Sequence, residues 1–322
     1  MAFSGTGKVW MNGTLVDWAD ANVHVASHVI HYGSAVFEGA RSYSTSRGAT
    51  FLRLDAHMRR LYDSARIYRM AYDMPLDSLT DAVVETVQAN GHAACYIRPL
   101  IYRGYETLNV NPLSCPVEAA ILVWPWSAYL GEGALENGVD VCVSSWTRSA
   151  PNTFPAMAKS SANYANSALI KMEAIKNGYI EGIALDTEGR LSEGSGQNLF
   201  LVRDQVIYTP PLSASVLAGI TRDSVITLAR DLGYEVREAS LPREMLYLAD
   251  ELFFAGTAVE ITPIRSVDKV QVGAGGRGPI TAALQQTFFD YINGAVPDRH
   301  NWLRHVEMPS ETREPAAAGR QK

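Results

Sequence analysis

Residues 183–208 read IALDTEGRLSEGSGQNLFLVRDQVIY, a stretch in which the chain reverses twice with no helix between the reversals. The first reversal turns over Asp186–Gly189, and the second turns over Arg203 and Asp204. Turn-forming residues between apolar runs are typical of antiparallel hairpins. Consecutive hairpins exclude the strict β-α-β alternation of a doubly wound sheet. The stretch therefore predicts a mixed α/β (α+β) fold.

A further hairpin and two helices are predicted on either side of this stretch. Asn12 and Gly13 are a strong turn pair and predict a hairpin over Lys8–Val16. Apolar residues at helical spacing predict the two helices. The predicted inward residues are Met58, Leu61, Ala65 and Tyr68 in a helix over Ala56–Met70, and Ala165, Ala168, Leu169 and Met172 in a helix over Tyr164–Lys176.

The chain has 322 residues, which indicates two domains at roughly 150 residues per domain. A segment rich in glycine and other small residues separates them. We predict a small N-terminal α/β domain over residues 1–126, an interdomain loop over 127–137, a large C-terminal domain over 138–306 and a disordered tail over 307–322.

The composition is that of a globular protein, with 47% hydrophobic and 19% charged residues. Lys and Arg number 28 and Asp and Glu number 34, which gives a formal net charge of −6. Binding to a phosphate backbone needs a basic surface, so nucleic acid is not expected as a partner.

Three features of the sequence predict a cytoplasmic location. The apolar run Ala119–Tyr129 is broken by a proline and is shorter than the ~20 residues that a membrane helix needs. Met1–Gly5 shows no basic segment followed by an apolar one, so no secretory signal is expected. The cysteines Cys95, Cys115 and Cys142 are odd in number and form no CxxC pair, which favours a reducing compartment.

The histidines form no HExxH or Cys/His cluster, so no metal site is predicted.

Two short segments carry candidate catalytic groups. Lys159 lies among small uncharged residues just before a predicted helix, where partial desolvation would lower its pKa and make its amine a better nucleophile. On this segment alone, an ordinary surface lysine is the better explanation. Glu193 precedes Gly194 and Gly196 at the end of a predicted hairpin strand, where it could point into a cleft. A solvated turn explains that segment equally well.

Two Gly-Thr segments are candidate anion sites. Gly219 to Thr221 opens a predicted helix, and the free backbone N–H groups of a helix start attract anions. Thr221 can also act simply as the helix cap. Gly256 and Thr257 follow an apolar strand and could supply further N–H groups. An amine, a carboxylate and two anion sites together are the groups that pyridoxal phosphate requires.

Six segments match the motifs of one known family: HYGSAVFEG at 31–39, RLYDSA at 60–65, YIRPL at 96–100, SEG at 192–194, GITR at 219–222 and GTA at 256–258. On these segments the chain resembles the bacterial branched-chain amino acid aminotransferases, which are fold-type IV pyridoxal-phosphate enzymes. The resemblance runs from about Lys8 to Trp302. It implies a small N-terminal α/β domain and a larger, cofactor-binding C-terminal pseudo-barrel α/β domain, with the cofactor in the cleft between them.

The resemblance also implies a set of residues that hold pyridoxal 5′-phosphate (PLP). Lys159 would be the Schiff-base lysine and proton carrier, Glu193 would pair with the ring nitrogen, and Tyr164 would bind the ring hydroxyl. Arg60 would bind the phosphate. The remaining implied cofactor residues are Leu217, Gly219, Ile220, Thr221, Gly256 and Thr257.

The implied substrate pocket is apolar and aromatic. Tyr32 and Val110 would reach in from a second subunit, and Arg98 would bind the side-chain carboxylate of glutamate. The N–H groups of Thr257 and Ala258 would bind the substrate α-carboxylate. The other residues implied to line this pocket are Phe37, Gly39, Tyr96, Trp126 and Tyr129. Leu108-Asn109 and Gln197 depart from the family pattern, in which a smaller Gly and an acidic residue are expected.

The implied activity is ping-pong transfer of an amino group between L-leucine, L-isoleucine or L-valine and 2-oxoglutarate. The implied partners are branched-chain amino acids, their 2-oxo acids, glutamate and 2-oxoglutarate. A homodimer is implied as the minimum unit, with a hexamer of dimers as a larger assembly. The alternatives are a D-amino acid or amine transaminase of the same fold and a non-catalytic small-molecule binding protein, which would lack the near-visible absorbance of the bound cofactor.

Overall fold

The computed structural model describes residues 5–126 and 130–308. Within these ranges, short 3₁₀ turns lie at Trp18–Asp20 and Leu212–Ala214. The α-helices of the described residues are α1 (His28–Tyr32), α2 (Leu54–Ile67), α3 (Leu76–Ala89), α4 (Ala134–Asn137), α5 (Asn163–Lys176), α6 (Ile220–Asp231), α7 (Met245–Leu248) and α8 (Pro279–Ile292).

The β-strands fall into two sheets. They are β1 (Lys8–Met11), β2 (Thr14–Asp17), β3 (Ala35–Phe37), β4 (Ala40–Thr45), β5 (Gly48–Leu52), β6 (Cys95–Arg103), β7 (Val117–Trp124), β8 (Val139–Val143), β9 (Glu181–Leu185), β10 (Leu191–Gly194), β11 (Asn198–Arg203), β12 (Val206–Thr209), β13 (Val236–Glu238), β14 (Glu251–Gly256), β15 (Glu260–Val267), β16 (Val270–Gln271) and β17 (Leu303–Val306). Strands and helices are mixed without the strict β-α-β alternation of a doubly wound sheet, as the hairpins of residues 183–208 predict, although α5 and α6 each connect two neighbouring parallel strands.

The first sheet is antiparallel, in the order β17-β5-β4-β6-β7-β1-β2, with β3 paired to β6. The hairpin predicted at Asn12-Gly13 is confirmed, because Met11 pairs with Thr14 across it. Helices α2 and α3 pack on one face of this sheet. The predicted inward face of α2 is also confirmed, since Met58, Leu61 and Ala65 are buried in the core.

The second sheet closes into a barrel-like ring. Its order is β10-β9-β8-β15-β14-β11-β12-β13, and a further pairing of Glu193 with Asn198 joins β10 to β11. This pairing completes a ring of six strands, which removes the exposed edges that an open sheet would have. The hairpin predicted over Asp186–Gly189 is confirmed by the pairing of Leu185 with Leu191. The ring is the predicted pseudo-barrel.

The C-terminal segment returns to the first sheet. After α8, strand β17 pairs antiparallel with β5, so that Leu303 lies opposite Leu52. Residues up to 306 are predicted to belong to the second domain, yet Leu303–Val306 extend the first sheet. The domain boundaries themselves stay a prediction.

The inward face predicted for α5 is wrong. Ala165, Ala168 and Met172 are exposed, and the helix instead buries Ile170 and Ala174. The helical spacing does not distinguish the two faces, because both faces of α5 carry apolar residues. Packing against β9 decides the register, since Gly182 on that strand leaves room for the Ile170 side chain.

Two predicted segments lie partly outside the described residues. Residues 127–129 of the predicted loop 127–137 are not described. Its last four residues, Ala134–Asn137, form helix α4. Of the predicted tail 307–322, only residues 307 and 308 are described. In the part of the chain that the structure covers, no helix is both long enough and apolar enough to cross a membrane.

Candidate active site

A cavity of about 180 Å³ lies between the first sheet with α2 and the six-stranded ring. All residues predicted to hold the cofactor border it: Arg60, Lys159, Tyr164, Glu193, Leu217, Gly219, Ile220, Thr221, Gly256 and Thr257. Seven residues of the predicted substrate pocket also border it: Phe37, Gly39, Tyr96, Arg98, Trp126, Thr257 and Ala258. Residues far apart in the sequence therefore converge on one cavity.

Lys159 is fixed by its backbone to the first sheet and to α2. Its carbonyl accepts the Phe37 N–H at 3.0 Å, and its own N–H donates to Ser64 Oγ at 3.0 Å. The Lys159 Nζ donates to the Tyr164 hydroxyl and lies 5.0 Å from the centre of the Phe37 ring. An amine held in this way at a cavity wall is not an ordinary surface lysine.

Glu193 is a buried carboxylate with fixed partners. Its Oε2 accepts hydrogen bonds from Asn198 Nδ2 and from the Leu217 N–H, both at 3.1 Å. Its Oε1 lies 3.3 Å from Arg148 Nη2. Burial raises the pKa of Glu193, and the neighbouring Arg148 charge opposes that rise. The solvated turn considered from the sequence is therefore wrong.

Arg148 is a residue of this site that sequence reasoning missed. Its guanidinium donates to the carbonyls of Gly194 at 2.5 Å and Ser195 at 3.1 Å. It also donates to Asn166 Oδ1 at 3.0 Å and Ser167 Oγ at 2.9 Å, both on α5. Arg148 thus ties the Glu193 loop to α5. No motif in the loop around it distinguishes this arginine from a surface residue.

Arg60 is held by Glu38, a second residue whose role is not predictable from the sequence. The fully buried Glu38 accepts two parallel bonds, from Arg60 Nε at 2.6 Å and Nη2 at 2.9 Å, and a third from His57 Nδ1 at 2.7 Å. Burial alone would raise the pKa of Glu38, but Arg60 and His57 hold it well below its usual range. The remaining Arg60 Nη1 donates to the Ala218 carbonyl at 2.8 Å.

The first turn of α6 opens on the same cavity. Gly219 precedes the helix, and a Cβ at this position would lie 1.9 Å from Asn198 Oδ1, so only glycine fits. The N–H groups of Ile220 and Thr221 have no partner within the helix, because the first turn lacks preceding carbonyls. With Arg60 and the turn at Thr257, they form a concave cluster of donors that suits an anion.

The opposite wall is aromatic and contains one cation. The Arg98 guanidinium lies 4.7 Å from the centre of the Phe37 ring and 5.4 Å from that of Tyr96. Tyr96 stacks on Trp126 with ring centres 4.4 Å apart. A Cβ at Gly39 would lie 1.9 Å from the Tyr96 hydroxyl, so glycine is required beside it. This wall combines an apolar surface with a charge that can meet a carboxylate.

No carboxylate among the described residues forms an ion pair with Arg98, and its buried Nε has no hydrogen-bond partner. The sequence alone permitted a purely structural arginine paired within the first domain. The described residues show no such ion pair. The Arg98 guanidinium borders the cavity, and its Nε–H is a donor without a hydrogen-bond partner among them.

Three predicted substrate residues do not border the cavity. Tyr32 is 44% exposed and its hydroxyl donates to the Leu108 carbonyl at 2.7 Å. Val110 follows in the same loop and is 83% exposed. Tyr129 lies outside the described residues. An exposed Tyr32 and Val110 agree with their predicted placement against a second subunit.

Comparison with known proteins gives a consistent result. The family profile described as amino-transferase class IV matches residues 35–267. The branched-chain-amino-acid aminotransferase of Escherichia coli is 51% identical over 301 residues, which covers 93% of this chain and 97% of that protein.

Solved structures agree with these sequence matches. The crystal structure of the Escherichia coli branched-chain amino acid aminotransferase is similar with a TM-score of 0.91 and 50% identity, covering 92% of this chain and 98% of that one. A T.th. branched-chain amino acid aminotransferase with pyridoxamine 5′-phosphate is similar with a TM-score of 0.90 and 45% identity, covering 93% and 98%.

Proposed function

The chain belongs to the class IV aminotransferases, and from that membership we propose which of its residues perform the reaction. The reaction transfers an amino group between L-leucine, L-isoleucine or L-valine and 2-oxoglutarate, with PLP as the cofactor. One observation carries the proposed roles: the Lys159 amine and the buried Glu193 carboxylate border one cavity with Arg60 and the start of α6.

The donor set of the cavity fits PLP. An amine, a carboxylate and a cluster of anion-binding donors are present, and these are the groups that an aldehyde, a ring nitrogen and a phosphate need. The bound cofactor supplies an electron-withdrawing ring next to the carbon that exchanges its amino group. Every other function in the site is performed by residues of the chain.

Lys159 holds the cofactor covalently between turnovers and moves the proton that transamination shifts from one carbon atom to another. Support comes from its fixed backbone and from the contact of Nζ with the Tyr164 hydroxyl. The Tyr164 hydroxyl orients the amine and binds the ring hydroxyl. The Phe37 ring packs beside Nζ and limits the directions in which the amine can move.

Glu193 keeps a proton on the ring nitrogen. Two hydrogen bonds from Asn198 and Leu217 orient the carboxylate, and Arg148 opposes the tendency of burial to neutralise it. An ionised carboxylate stabilises a protonated ring nitrogen, and the protonated ring withdraws electrons more strongly. Arg148 acts on this step only through Glu193 and is therefore a positioning residue.

Arg60 binds the phosphate together with the N–H groups of Ile220, Thr221 and Thr257. Glu38 fixes the Arg60 side chain with two parallel bonds, so that little conformational entropy is lost on binding. Leu217 packs on the ring, while Gly219 and Gly256 allow the backbone to approach the phosphate closely.

Substrates bind against the aromatic wall. Thr257 and Ala258 bind the α-carboxylate through their N–H groups, and the apolar side chain lies among residues that include Phe37, Tyr96 and Trp126. Gly39 and Tyr129 belong to the same pocket. Arg98 receives the side-chain carboxylate of glutamate or 2-oxoglutarate, which would otherwise be buried without a partner in an apolar wall.

Arg98→Met is expected to weaken the half-reactions with glutamate and 2-oxoglutarate by roughly 2–5 kcal/mol, as is usual when one partner of a buried charge pair is removed. The half-reaction with leucine should change much less, because Met keeps the apolar stem of the side chain. Stopped-flow half-reactions with each amino acid measure the two effects separately. An equal loss for leucine and glutamate would show that Arg98 supports the fold and does not recognise the side chain.

We extend the proposal to a homodimer as the minimum active unit, with a hexamer of dimers as a larger assembly. Tyr32 ends α1, and its hydroxyl bonds to the loop between β6 and β7, which contains Leu108, Val110 and Leu113. All four side chains are exposed, although monomeric proteins seldom leave such apolar groups together in water. A second copy of the chain would cover these residues and bring Tyr32 and Val110 to the pocket of its neighbour.

Mixing Tyr32→Ala chains with Lys159→Ala chains is expected to restore activity that neither variant has alone. In a hybrid dimer, one site receives an intact Lys159 from one chain and an intact Tyr32 from the other. Random exchange makes half of the dimers hybrid with one intact site each, so about a quarter of the wild-type activity should return. Steady-state assays after subunit exchange measure it, and no recovery would contradict a shared site.

We also propose a cytoplasmic location, which the three buried free cysteines support. A panel of L- and D-amino donors with 2-oxoglutarate tests the function as a whole. Activity with L-leucine, L-isoleucine and L-valine and none with the D-isomers is expected. A preference for D-amino donors would favour the alternative transaminase, and a colourless, inactive protein would favour a binding protein.

A further inference from the structure

Arg53 connects the start of α2 to the first turn of α6. Its Nη1 donates to Asp223 Oδ2 at 2.5 Å, to Ser224 Oγ at 3.1 Å and to the Ile220 carbonyl at 3.4 Å. All three acceptors belong to the opening of α6, which supplies donors to the proposed phosphate site. Arg53 itself does not border the cavity.

The position of Arg53 is fixed by the returning C-terminal segment. Its backbone is in the left-handed region, with φ of 52°, and its N–H donates to the Trp302 carbonyl at 2.6 Å. The guanidinium lies 4.9 Å from the centre of the Trp302 ring, and the side chain is only 16% exposed. The segment before β17 therefore holds this arginine against α6.

Arg53 and Arg60 act on the two sides of the same helix start. Arg53 immediately precedes α2, and Arg60 lies seven residues further on, within the helix. Arg60 binds the Ala218 carbonyl just before α6, and Arg53 binds the carbonyl of the first residue of α6 together with two side chains of its first turn. Helix α2 thereby fixes the orientation of the N–H groups of Ile220 and Thr221 relative to Arg60.

Arg53 also compensates a charge that would oppose an anion. Asp223 is the acidic residue of the first turn of α6, within about one helical turn of the free N–H groups. An unpaired carboxylate at that distance would repel a phosphate, whereas the ion pair with Arg53 offsets the negative charge of Asp223.

We propose that Arg53 is a positioning residue for the phosphate of the cofactor, acting through α6 and through the neutralisation of Asp223. The inference rests on the proposed phosphate site. A positioning role of this kind affects only ligands that carry the phosphate. A role limited to general stability would affect every ligand of the cavity alike.

The test compares two ligands of the full-length apoenzyme: pyridoxamine 5′-phosphate and pyridoxamine, which lacks the phosphate. Arg53→Met is expected to weaken binding of the phosphorylated ligand about tenfold or more and that of pyridoxamine less than about twofold. Arg304→Met is the matched control, because it removes the Arg304 ion pair with Asp81 from the same C-terminal segment without touching α6. It should leave both affinities unchanged.

Two further variants separate the contributions of charge and geometry. Arg53→Lys keeps the charge but cannot reach all three acceptors, so it should give an intermediate loss and serves if Arg53→Met does not fold. Adding Asp223→Asn to Arg53→Met should restore part of the affinity for the phosphorylated ligand. If Asp223→Asn does not restore affinity, the loss in Arg53→Met comes entirely from the orientation of α6. The proposed neutralisation of Asp223 would then be overturned.

Equal losses for both ligands, or no loss for either, in Arg53→Met would overturn the proposal as a whole. If the proposed phosphate site itself is wrong, the wild-type chain should bind pyridoxamine as tightly as its 5′-phosphate. That result differs from the outcomes for Arg53→Met and would also overturn the inference on Arg53.

Discussion

Lys159→Ala is expected to reduce the rate of transamination by several powers of ten. Both the covalent attachment of the cofactor and the proton shift depend on the Lys159 amine, and removal of a covalent nucleophile is among the largest single effects on catalysis. Ala removes the amine but leaves the backbone bonds to Phe37 and Ser64, so the loop should keep its position. Steady-state assays with L-leucine and 2-oxoglutarate measure the loss.

Lys176→Ala is the matched control for Lys159, since it removes an exposed lysine at the end of α5. It should keep wild-type activity. Borohydride reduction of the wild-type enzyme, followed by peptide mapping, should place the pyridoxyl label on Lys159. A label on any other lysine would rule out the assignment.

Glu193→Gln is expected to keep the fold and to slow the chemical step on the order of 10²-fold or more, in the range found for other single electrostatic groups in active sites. Gln can retain the hydrogen bond with the Leu217 N–H, but it carries no charge to stabilise a proton on the ring nitrogen. Single-turnover rates with L-leucine isolate this step from binding and product release.

Glu181→Gln is the control for neutralising a buried glutamate outside the cavity. Glu181 is fully buried on β9 and pairs with Lys171 at 3.0 Å. Its replacement should lower stability without a comparable effect on the chemical step. Wild-type single-turnover rates in Glu193→Gln, or an equal slowing in Glu181→Gln, would contradict the role assigned to the Glu193 charge.

The family and the cofactor could be recognised from the sequence because their signals are local. The segments around Lys159, Glu193 and Gly219 each place a reactive or anion-binding group in a short stretch of small residues. Reactive side chains and glycines needed for close approach are constrained by the ligand itself, so they recur as short motifs. The comparisons confirm the predicted family, reaction and cofactor.

Hairpins were also predictable, because a turn depends on neighbouring residues. The turn at Asn12-Gly13 is confirmed, with both residues at positive φ. The burial of α5 was not predictable in the same way. Its two faces are similarly apolar, and only the space over Gly182 on another strand selects Ile170 as the inward residue.

By itself the sequence determined the mixed fold, the chemical groups of the site and the family to which the chain belongs. Tertiary structure alone decided which charges support those groups. Arg148 meets Glu193 across 45 positions, and Arg53 meets Asp223 across 170. Such pairs leave no local pattern, because an arginine that is buried and an arginine in water look alike in a sequence. Burial of the Arg148 and Glu193 side chains makes their pairing obligatory, and burial is a property of the folded chain.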